Sequence, residues 1–90
     1  MSTVKRLVLD VLKPHQPNAL EFAQAIARLG EGYRVRLNVE EVDEKTESTI
    51  IVIESTSLDF SRIEETIQSM GGSLHSIDEV EVWGSTPDTL

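Results

Sequence analysis

The chain predicts an α+β fold of the ferredoxin-like kind, βαββαβ, with a four-stranded antiparallel sheet. Three observations predict it. Apolar periodicity alternates between two and 3.6 residues in the order strand, helix, strand, strand, helix, strand. Proline and glycine fall between those segments and not within them. The 90 residues suffice for one core but not two. Right-handed crossovers then give the sheet order 4-1-3-2, with both helices on one face.

The first strand reads from Lys5 to Leu12. Leu7, Leu9 and Val11 share one side, and Arg6, Val8, Asp10 and Leu12 the other. Pro14 and Pro17 are expected to end it. Asn18 with Glu21 three residues later forms a capping-box pattern, and Ala19, Phe22, Ala23, Ile26 and Ala27 make one helical stripe that stops before Gly30 and Gly32. Val35, Leu37 and Val39 alternate with Arg34, Arg36 and Asn38, a polar turn runs from Asp43 to Ser48, and Thr49 to Glu54 is a nearly continuous apolar strand. Phe60, Ile63, Ile67 and Met70 form the second helical stripe, opened at Ser57 or Asp59 and stopped by Gly71 and Gly72. The fourth strand covers about Leu74 to Trp83. Residues 1–83 thus form one domain, and 84–90, polar and unpatterned, are expected to be a flexible tail.

Sixteen Asp and Glu against eight Lys and Arg leave a formal charge of −8, which repels phosphate backbones and anionic membranes. Nucleic acid and membrane partners are not expected. The absence of cysteine removes disulfides, thiolate metal sites and a redox CxxC pair. No apolar run reaches membrane-spanning length and no signal-peptide pattern opens the chain, so a cytoplasmic location is expected.

In this topology the end of the first strand adjoins the starts of the third and fourth. Asp10, Lys13 and His15 are therefore expected to converge with Asp43 and Glu47 of the hairpin turn and with His75 and Asp78. Asp10 carries a second expectation. It faces the open side of the sheet with Val8 and Leu12, where either Ile50 and Val52 or Ile51 and Ile53 must join it, and an apolar open face suits burial against another subunit.

The segments RLVLDVLKPH, VEEVDEKTE, LDF and GGSLHSIDEV, together and in this order, resemble the archaeal family known as domain of unknown function two-one-one. The match spans Arg6 to Val80. The resemblance implies a ferredoxin-like fold, homo-oligomeric rings, no established activity, and divalent cations such as calcium held by carboxylates. By position it points to Asp10, Lys13, Pro14 and His15, to Asp43, Thr46 and Glu47, and to His75, Ser76, Asp78 and Glu79. After Val80 this chain reads EVWGSTPDTL and departs from the longer tail associated with the family.

Asp10, Asp43, Glu47, Asp78 and Glu79 are the candidate metal ligands, because a hard cation takes six to eight oxygens. No EF-hand spacing is present, and an ordinary solvated acidic rim explains the same residues. Lys13, His15 and His75 are further site candidates. The histidines with a carboxylate would also serve a transition ion or acid–base chemistry if they met. For His75 a structural hydrogen bond is the simpler reading.

Arg34 and Arg36 lie on one sheet edge and Glu79 and Glu81 on the other. With Val8 and Leu12 they are the expected oligomer interface, since a basic edge meeting an acidic one closes into a ring where rotation permits. Charges that merely protect the edges are the competing explanation.

Other roles of this topology lack their residues. The central strands carry no exposed aromatics for RNA, and the Lys13–Pro17 loop has two prolines where a phosphate cradle needs amides. No nucleophile is paired with a base. The reading is an oligomeric binding or scaffold domain with divalent cations on its rim and no organic cofactor. An ACT-like small-ligand regulatory domain is the main alternative, and an enzyme using His15 or His75 with Asp10 or Asp78 a further one.

Overall fold

A computed structural model describes residues 2–85. The elements are β1 (Ser2–Pro14), α1 (Ala19–Ala27), β2 (Arg34–Val42), β3 (Thr46–Leu58), α2 (Phe60–Ser69) and β4 (Ser73–Gly84). The sheet order is β2-β3-β1-β4 and every pairing is antiparallel. This is the expected fold, with the same strand order read from the other edge.

Both helices start where capping chemistry dictates. The Glu21 amide donates to Asn18 Oδ1 at 2.9 Å and the Asn18 amide to Glu21 Oε1 at 3.1 Å, which satisfies two amide donors left over at the helix start. Asp59 caps α2 by accepting from the Arg62 amide at 3.3 Å. Gly71, at φ +85°, supplies the left-handed turn that ends α2.

Alternation decides the layers. Leu7, Leu9 and Val11 of β1 and Ile51 and Ile53 of β3 face the helices and are buried with Phe22, Ile26, Ile63 and Ile67. Ile50 and Val52 therefore join Val8, Asp10 and Leu12 on the open face.

The strands are longer than the periodicity predicts. β1 runs to Pro14, and β3 starts at Thr46 and not Thr49, so the polar turn shrinks to Asp43–Lys45, closed by the Asp43 amide on the Thr46 carbonyl at 2.8 Å. The reason is that ladder hydrogen bonds continue where the hydrophobic alternation has stopped. Gly84 also belongs to β4, opposite Ser2, and residues 86–90 of the expected tail lie outside the described residues.

Lengths have a consequence for exposure. Helices of nine and ten residues span about 15 Å, whereas strands of 12 and 13 residues span about 40 Å. The helices cannot cover the sheet. The molecule is accordingly elongated, 57 × 22 × 18 Å, and its sheet projects beyond the helical layer.

Candidate functional site

Lys13 continues the inward row of Leu7, Leu9 and Val11 and is fully buried. A buried ammonium must be matched by acceptors, because desolvation costs several kcal/mol. Its Nζ donates to the Pro14 carbonyl at 2.7 Å and to Glu47 Oε1 at 3.0 Å. It also lies 5.7 Å from the centroid of the Phe22 ring, within cation–π range. Register brings the carboxylate there, since Lys13 and Glu47 are direct partners across β1 and β3.

The second oxygen of Glu47 holds His15, with Nδ1 at 2.9 Å from Oε2, while His15 Nε2 lies 2.9 Å from the Glu44 carbonyl. A ring that faces two acceptors satisfies both only as the imidazolium. The hydrogen bond to Glu47, then that to Glu44, accordingly raises the His15 pKa above its ordinary value. The Glu47 pKa is lowered by the bond from His15 and then that from Lys13. The cluster is a cation–anion–cation chain that ties the exit of β1 to the β2–β3 hairpin.

Its pH dependence follows from the two directions. A raised His15 pKa stabilises the fold fully below about 6.5, and that contribution disappears as pH rises through the folded value. A lowered Glu47 pKa stabilises above about 4.5 and is lost as pH falls through its folded value. Urea unfolding should therefore show the cluster's contribution at its fullest between those pH values. The alkaline decline should be shallower in His15→Gln than in the parent; identical slopes above pH 6.5 would contradict the assignment.

Asp43, in the turn beside Glu44, adds its backbone to the groups that favour the charged form of His15, but Asp10, His75 and Asp78 do not join this cluster. Asp10 lies further along β1, opposite Ile50 on one side and Ser76 on the other. Its carboxylate makes no hydrogen bond or ion pair among the described residues. His75 is an exposed extra residue of β4, where the register slips between Asp10 and Val11. It too has no side-chain partner among the described residues, and the hydrogen bond expected of it is not made. Asp78 occupies the next slip of β4 and accepts the Ser76 hydroxyl at 2.7 Å. Among the described residues no three of His, Asp and Glu approach closely enough to hold a metal ion. With both ring nitrogens of His15 engaged, its partner is Glu47 and neither Asp10 nor Asp78.

A second charged cluster, not anticipated from the sequence, crosses the open face. Arg6 Nη1 binds Glu54 at 2.8 Å and Arg6 Nε binds Glu79 at 2.6 Å. Register places Arg34, Glu54, Arg6 and Glu81 in one row across β2, β3, β1 and β4, so charge alternates along it. The signal lay in the strand pattern, because all four are non-apolar positions of their strands. The row could be assembled only once the register was known.

Two adjoining clefts open around this row. One, of about 220 Å³, is lined by Arg6, Arg34, Arg36, Val52 and Glu54 among others. The other, of about 400 Å³, reaches from Arg34 past Ser55 and Thr56 to Lys5, Glu81 and Trp83. Lys5 Nζ sits 4.7 Å from the centroid of the Trp83 ring, whose Nε1 donates to Glu81 at 2.7 Å.

Comparison with known proteins finds the chain similar to uncharacterised proteins. A family model described as Uncharacterized ArCR, DUF211, covers residues 5–86. An uncharacterised protein of Methanocaldococcus jannaschii is 44% identical over 80 residues, 89% of this chain and 82% of the relative.

Proposed function

Because the chain belongs to the DUF211 family, the Uncharacterized ArCR proteins, which carries no assigned activity, we propose its role from its surfaces: a homo-oligomeric binding or scaffold domain assembled edge to edge. One observation carries this reading. β4, an edge strand unpaired on its outer side, exposes Ile77, Val80, Val82 and Trp83 by 46%, 55%, 48% and 58%. Val39 and Val42 are exposed on β2, the opposite edge. Apolar side chains along two free edges favour strand addition.

The charged row supports the same contact. Placing β4 of one copy beside β2 of the next puts Glu81, and with it Glu79, near Arg34 and Arg36, continuing the alternation. Such a contact is heterologous and forms a ring when its rotation closes. Val8 and Leu12, on the open face, would be covered if copies also pack face to face.

Divalent cations enter this reading between copies. The carboxylates of Asp10 and Asp43 are unpaired among the described residues, and Asp78 accepts only a hydroxyl. Glu47 and Glu79 already hold cationic side chains, so a second copy would have to complete an oxygen shell for calcium.

Sedimentation equilibrium tests both parts. The parent should sediment as a multiple of the 10.0 kDa chain, and Arg34→Glu with Arg36→Glu should reduce it to the monomer. An unchanged mass would reject the edge contact. Calcium should raise the parent's melting temperature and leave that of Asp43→Ala with Asp78→Ala unmoved. If calcium, magnesium and manganese all fail to stabilise the parent, the cation part falls while the assembly stands.

A further inference from the structure

We propose that the cleft lined by Arg34, Lys5 and Trp83, with Arg6, Glu54 and Glu81 between them, is a binding site for a small planar anion, an aromatic ring carrying a phosphate or carboxylate. The chain as a whole is strongly acidic, with 16 Asp and Glu, yet the guanidiniums of Arg34 and Arg36 make no hydrogen bond, ion pair or ring contact among the described residues. The one carboxylate directly beside them in the sheet, Glu54, is already held by Arg6 at 2.8 Å. Two arginines one residue apart on a strand share a face, about 7 Å from each other. They present planar forks suited to paired oxygens.

Shape and the second wall define the rest of the ligand. The larger cleft, about 400 Å³ and open to solvent on one side, leaves room for one small ligand lying across the sheet. Trp83 offers it an indole ring that is 58% exposed. Glu81 accepts the indole N–H at 2.7 Å and so holds the ring in place. Lys5 Nζ covers one face of that ring at 4.7 Å; a planar group stacks on the other face while its anionic end reaches Arg34, and Arg36 in the adjoining cleft extends the positive surface for a second oxygen pair. Glu81 at the mouth opposes any additional negative charge near the ring and favours a ligand whose charge is confined to one end.

This goes beyond the assembly reading and does not depend on it. A guanidinium has five N–H donors, and one edge carboxylate from a neighbouring copy uses two of them.

Trp83 is the chain's single tryptophan, so its fluorescence reports on the cleft directly. Titration with adenosine monophosphate or with phenylacetate, excited at the red edge of indole absorption, should give a saturable change. Adenosine, which has the ring without the charge, should bind at least tenfold more weakly, as should adenosine monophosphate to Arg34→Gln with Arg36→Gln. Trp83→Leu, followed by calorimetry, should weaken binding while the protein remains folded. No saturable response to either anion, or equal binding of adenosine, or undiminished binding by the arginine variant, would overturn the inference. Sedimentation of the same samples separates the two readings: an oligomer without a response refutes the ligand alone, and a monomer that binds refutes the assembly alone.

Discussion

Glu47→Ala is expected to destabilise the protein by about 3 kcal/mol, the lower end of the effect of removing one partner of a buried ion pair, because Lys13 is buried but Glu47 is 17% exposed. The physical cause is what remains. Lys13 Nζ is fully buried, and without Glu47 Oε1 at 3.0 Å its charge is left with the Pro14 carbonyl and the Phe22 ring. A domain of this size has a total stability of about 5–13 kcal/mol, so the variant should lose a large part of its urea resistance. The double variant Lys13→Met, Glu47→Leu should recover most of the loss, because replacing both charges by apolar groups of similar volume removes the desolvation penalty as well as the attraction. Equal midpoints for Glu47→Ala and the parent would show that Lys13 does not depend on this carboxylate.

Phe22→Ala should cost a similar amount, about 3–5 kcal/mol for a buried phenylalanine. Phe22 is fully buried in α1, and its ring occupies the space beside Gly72, where an added Cβ would come within 2.9 Å of Cζ. The ring also lies under the Lys13 ammonium at 5.7 Å. Truncation therefore opens a cavity and withdraws a cation–π partner worth about 1–2 kcal/mol when desolvated. The two contributions can be separated by a double-mutant cycle with Lys13→Met, measured by urea unfolding. Additivity within about 0.5 kcal/mol would mean that ring and ammonium are not coupled, whereas an interaction energy of about 1 kcal/mol or more is the expected result.

The fold was legible because each of its determinants is local. The Asn18–Glu21 capping box, the stripe of Phe22 and Ile26, the glycines at 71 and 72 and the alternation of β1 each act over a few residues, and each appears in the structure where the pattern put it. Half of the site was legible for the same reason. Topology alone brings Lys13 and His15 to Glu47, since the exit of β1 must adjoin the start of β3. Asp10, His75 and Asp78 were expected on the same rim, but strand position separates them from it. Two register slips in β4, one leaving His75 and the other Asp78 as the extra residue, follow from no periodicity.

The sequence by itself determined the family, the order of elements, the face that β1 turns to the helices and the acidic balance that disfavours polyanionic partners, whereas the inward face of β3 was left between Ile50 with Val52 and Ile51 with Ile53 until the register settled it. Only the tertiary structure decided that Lys13 is a buried cation, that His15 faces two acceptors, and that Arg6 takes Glu54 and Glu79 while Arg34 and Arg36 stay free of partners among the described residues. The reason is physical. Periodicity records which side of an element a residue faces, within a few residues of chain, whereas charge pairing depends on which strand lies alongside and in what register. Lys13 and Glu47 are 34 residues apart in sequence and Arg6 and Glu79 are 73 apart, so their attraction has meaning only once the sheet has closed.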